Sequence, residues 1–99
     1  MAIMEISVVP IGTKTPSLSR HVAQVTKIVE KSGLKNKLCP MGTVVEGELR
    51  ALLSLAEEMH NSVFSNEVAR VVTSIKIDER RDKEASMEQK IDSVKKGMK

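Results

Sequence analysis

A chain of 99 residues is one domain's worth: long enough for a real core, short enough that much apolar surface stays outside, so burial between subunits is expected. Sixteen basic residues are interspersed with 13 acidic ones for a formal charge of +3, which excludes a large single-sign field. The single Cys39 excludes an internal disulfide framework and points to a reducing, cytoplasmic setting, and no apolar run is long enough for a membrane span.

From the N-terminus, Met1-Ala2-Ile3-Met4-Glu5 lacks the basic, apolar and small-residue succession of a signal peptide. Residues Ile3 to Ile11 alternate, with Met4, Ile6, Val8 and Pro10 on one side and Glu5, Ser7 and Val9 on the other, the pattern of a half-buried strand. Gly12-Thr13-Lys14-Thr15-Pro16 reads as a loop, with Thr15 or Ser17 as N-cap of a helix. That helix carries the stripe Leu18, Val22, Val25 and Val29, and Gly33 after Lys31 is its C-cap.

A second extended stretch, Lys35 to Cys39, meets Pro40 and Gly42, which signal a hairpin turn or a bulge before a strand Thr43 to Glu46. Leu49, Leu52, Leu53, Ala56, Met59 and Val63 then recur at helical spacing, ending near Ser65-Asn66-Glu67. Val68 to Asp78 is rich in β-branched residues and reads as the last strand. Ser86 and Gln89 form a capping-box pattern for a final helix with Met87, Ile91, Val94 and Met98 on its apolar side.

This order predicts a single α+β domain over residues 1–99: a ferredoxin-like βαββαβ sandwich with an additional C-terminal helix. Two helices would cover one sheet face and leave the other open. The open face would carry Glu5, Ser7 and Val9 beside Val72, Ser74 and Lys76, and Glu46 joins them if it lies on the same side as Val44. RNA-binding domains of this topology stack bases on aromatic residues of the two central strands, and those strands have none here, since Phe64 is the chain's only aromatic residue. Nucleic acid is therefore a disfavoured partner despite the basic balance.

The richest local pattern is Cys39-Pro40-Met41-Gly42-Thr43-Val44-Val45-Glu46-Gly47-Glu48: a turn, a short strand and a carboxylate where the strand ends, the place to expect a ligand. The first strand with Val9-Pro10-Ile11-Gly12-Thr13, the block Met41 to Glu48, and Ile75 to Asp82 with Lys90-Ile91-Asp92-Ser93-Val94 resemble the small thiamine-binding protein family of the YkoF-like superfamily. The resemblance runs nearly the full length. It implies a ferredoxin-like subunit assembling into homodimers or homotetramers through sheet faces and edges, and binding of thiamine or its hydroxymethylpyrimidine moiety with no catalysis and no required cofactor.

On that resemblance, Glu46 would accept a hydrogen bond from an aminopyrimidine and offset a thiazolium charge, with hydroxyls from Thr43, Ser7 and Ser74 nearby. Lys76 fits less well beside a cation and would pair with Glu5 or Glu46. The plainer alternatives stand beside these readings: Glu46 in the first turn of the second helix, where a carboxylate favours the dipole, and Thr43, Ser7 and Ser74 as ordinary strand or interface residues.

His21 and His60 fall at polar helix positions without thiol or carboxylate partners at metal-ligand spacing, so solvated surface is expected for both. Arg80 and Arg81 lie in a run of nearly cancelling charges, expected to pair across a subunit contact, with an anion clamp as the alternative. No GxSxG, Walker loop or HExxH is present. The reading is a non-catalytic small-molecule binder; the alternatives are a nucleic-acid-binding domain and a purely structural or regulatory oligomerisation module.

Overall fold

The computed structural model describes residues 1–14, 19–84 and 86–99. The elements are β1 (Ala2–Ile11), α1 (Ser19–Ser32), β2 (Lys35–Cys39), β3 (Gly42–Gly47), α2 (Leu49–Ser62), β4 (Arg70–Glu79) and α3 (Met87–Gly97). All strand pairings are antiparallel in the order β2-β3-β1-β4, the ferredoxin-like arrangement with an added C-terminal helix.

Alternation along β1 sends Met4 and Ile6 inward, where they meet Val45 of β3, Val25 and Val29 of α1 and Leu52, Leu55, Ala56 and Met59 of α2 in one buried cluster. On α2, Leu55 is buried and Leu53 exposed, contrary to the expected stripe. The helical period explains it: Leu52, Leu55, Ala56, Met59 and Val63 fall within one third of a turn, and Leu53 lies about 100° round from Leu52.

The left-handed Gly33, φ +74°, stops α1 as expected, with its N–H donating to Glu30 O at 3.3 Å. The capping positions Thr15 and Ser17, and Leu18 of the stripe, lie outside the described residues. Cys39 pairs with Gly42, so Pro40 and Met41 form a two-residue hairpin turn. At the far end Val68 is buried but precedes β4 rather than belonging to it: Val68 and Ser65 exchange two backbone hydrogen bonds, at 3.1 and 3.2 Å, that close a turn.

β4 runs alongside β1 for ten residues, from Ala2↔Glu79 to Ile11↔Arg70, and forms a free edge. Its helix-side residues Ile75 and Ile77 stay 45% and 37% exposed because α1 and α2 leave that edge uncovered. The Cα radius of gyration is 15.0 Å, against about 13 Å for a compact chain of this length. The capping box of α3 is formed: the Gln89 N–H donates to Ser86 Oγ at 3.2 Å and the Ser86 N–H to Gln89 Oε1 at 3.0 Å. Of its apolar side only Met87 is buried; Ile91, Val94 and Met98 are exposed.

Candidate functional site

Directly opposed residues of an antiparallel sheet share a face. The register therefore defines a row Lys35–Glu46–Ile3–Asp78 on the face turned away from α1 and α2, and a second row Lys37–Val44–Glu5–Lys76. Ser7 and Ser74 oppose each other two residues further along, followed by Val9 and Val72. Glu46 thus accompanies Val44, and four of the five predicted residues, Ser7, Glu46, Ser74 and Lys76, share one face.

Thr43 does not. It pairs with Ile6 and Leu38, faces the helices, and is buried. Thr43 and Glu46 are three residues apart in a regular strand, so the pleat points them in opposite directions. The five residues accordingly belong to two surfaces.

On the sheet face, Glu5, Ser7, Ser74 and Lys76 with Met41 and Ile75 line a depression of about 110 Å³. Lys76 stands opposite Glu5, while the cation beside Glu46 is Lys35, with Nζ 4.0 Å from Oε2. Glu46 is a β3 residue rather than part of the first turn of α2, which begins at Leu49 after Glu48. It is only 9% exposed. The cover comes from α3: Glu88 Oε1 lies 2.7 Å from Lys35 Nζ on β2, and Lys90 Nζ lies 2.7 Å from Asp78 Oδ2 on β4, so this helix bridges both outer strands of the Glu46 row. The sheet face is therefore open only beyond that row, a correction to the expected openness.

The ion pairs set the titration of their members. The hydrogen bond from Lys35 holds Glu88 below the usual carboxylate range, and that from Lys90 does the same for Asp78. Lys35 is raised, chiefly by its bond to Glu88.

On the helix face, a cavity of about 240 Å³ opens between α1, β1 and the β2–β3 hairpin. Val22, Val25 and Thr26 of α1, Leu38 of β2, Thr43 of β3 and Met59 of α2 are among its walls, with Met41 on the hairpin turn. Its lining is mainly apolar, with Thr26 and Thr43 supplying hydroxyls on the helix side and Ser7 at its margin on β1. Thr26 Oγ1 donates to Val22 O at 2.7 Å and keeps acceptor capacity. This is the chemistry of a site for a flat, weakly polar ring. Sequence reading named Thr43 but missed the cavity, because its walls come from separate elements; the available signal was Thr43 among the inward apolar residues of β3, and Val22 left 43% exposed on an apolar stripe.

Other expectations resolve locally. His60 is not solvated surface: its Nδ1 lies 2.7 Å from Thr73 Oγ1, and its ring meets Phe64 edge-on at 5.3 Å. Arg81 pairs with Glu79 at 3.1 Å, and Arg80 grips Asp82 through two nitrogens, which lowers the Asp82 carboxyl. Both arginines are thus engaged by acids two residues away in their own chain. Among the described residues no three potential ligands cluster for a metal, and no helix is long and apolar enough to cross a membrane.

The chain is 45% identical to the UPF0045 protein YqgV of Bacillus subtilis over 97% of its own length and 96% of that protein's. The crystal structure of protein MJ1052 from Methanocaldococcus jannaschii superposes with a TM-score of 0.87 at 39% identity, covering 95% of both chains. A Thermotoga maritima structure assigned provisionally to thiamine biosynthesis or salvage shares the fold, with a TM-score of 0.80 at 22% identity over 94% of this chain and 97% of that one. Residues 4–95 match the family described as thiamine-binding protein, and with this match and these relatives the chain belongs to that family.

Proposed function

We propose that this protein is a non-catalytic, cytoplasmic binder of thiamine or its hydroxymethylpyrimidine moiety, working as a homodimer or homotetramer. The observation that carries the reading is the cavity at Thr43 in a chain of the thiamine-binding family. At about 240 Å³ it is smaller than the roughly 300–1,000 Å³ of a site for a drug-sized ligand, which suits one heteroaromatic ring. The aminopyrimidine enters between α1 and the sheet, its faces against Val22, Val25 and Met59, its polar edge toward the Thr43 hydroxyl. Glu46 lies on the other side of the sheet beneath α3 and makes no contact with a ring seated there.

Assembly is supported by surfaces a lone subunit leaves uncovered. Val72, Ile75 and Ile77 are exposed on β4, a ten-residue strand whose outer edge has no strand neighbour among the described residues, so the backbone groups of its alternate residues face outward. Such an edge is a template for another chain.

Calorimetric titration with thiamine and with hydroxymethylpyrimidine tests the reading. Binding of either, with a matching rise in thermal stability, is expected. No heat and no stabilisation at millimolar ligand would sink it.

A further inference from the structure

We propose that α3 is a detachable strap, latched electrostatically across the sheet, whose release uncovers Glu46. The latch is two ion pairs at opposite edges of one cross-strand row: Glu88 to Lys35 on β2 and Lys90 to Asp78 on β4, each at 2.7 Å. The outer strands stand about 14 Å apart, so two side chains from one helical turn tie down the width of the sheet.

Little apolar burial reinforces them. Met87 is the only α3 residue that is buried, it lies outside the central cluster, and Ile91, Val94 and Met98 face outward. All four latch groups are half exposed, between 50% and 55%, the setting in which ion pairs are weak and screened by salt. An 11-residue helix is marginal by itself and keeps its form through its capping box and its docking. Beneath it lies a group that works against a closed strap: Glu46 is 9% exposed, with Lys35 shared between it, at 4.0 Å, and the nearer Glu88. When α3 lifts, Lys35 is free to pair with Glu46 and both gain water, which lowers the cost of the open state. The strap is independent of where thiamine binds.

Amide hydrogen exchange on the whole protein tests it. Raising NaCl from about 0.05 to 1 M is expected to speed exchange in α3 roughly tenfold, while β1 and β3 change less than about twofold. The variant E88Q/K90Q, which keeps helix propensity, should reproduce the faster α3 exchange at low salt, and K95Q/K96Q, outside the latch, should not. Exchange in α3 that ignores both salt and E88Q/K90Q, or that rises only together with β1 and β3, would overturn the proposal. Failure of thiamine to bind leaves this pattern unchanged and counts against the function alone.

Discussion

Thr43 and Glu46 carry the functional account, and they can be separated by mutation. Thr43→Val keeps shape and removes the hydroxyl; loss of one hydrogen bond of about 1 kcal/mol should weaken hydroxymethylpyrimidine binding roughly fivefold to tenfold by calorimetry. Glu46→Gln should change the same affinity less than about twofold, because the residue lies across the sheet from the cavity. At Gly33 an added Cβ meets nothing within 4 Å, so Gly33→Ala should cost only the left-handed backbone, about 1–2 kcal/mol by denaturant unfolding. The opposition of Thr43 and Glu46 was legible in their spacing, because residues three apart in a regular strand face opposite sides; a bulge at Pro40 and Gly42 precedes both and would not bring them together.

Element boundaries followed from local chemistry wherever the signal was local. Lys35–Cys39, the hairpin at Pro40 and Met41, the Gly33 stop and the Ser86 capping box rest on backbone conformation and neighbouring side chains, and the structure has each as read. The position of α3 could not be read the same way. Its amphipathic pattern suggested burial, whereas its docking depends on Lys35 and Asp78, remote in sequence. The linkage gives a further test: Glu88 and Asp78 are depressed by their lysines, so docking is stabilised fully above ordinary carboxylate values and lost as pH falls through the lowered ones. Exchange in α3 should accelerate, relative to β1, as pH falls below the ordinary carboxylate values of about 4.

For the whole molecule, the open edge of β4, the exposed Ile75 and Ile77 and the uncovered side of α3 are the surfaces that the proposed homo-oligomer would cover. Sedimentation should give a mass two or four times that of the chain, and Ile75→Lys, which places a charge on the exposed β4 surface without entering the core, should shift it toward the monomer. Leu52→Ala, in the centre of the cluster, should lower stability by about 2–5 kcal/mol. The topology was legible because each strand and helix has its own period; the cavity was not, because it exists only where α1 fails to close over Thr43.

The most direct measurement is backbone amide chemical-shift mapping of the protein titrated with hydroxymethylpyrimidine. The expected result is saturable shifts at Val22, Thr26, Leu38 and Thr43, the walls of the cavity. Shifts confined to Lys35, Glu46 and α3, or none at millimolar ligand, would contradict the account.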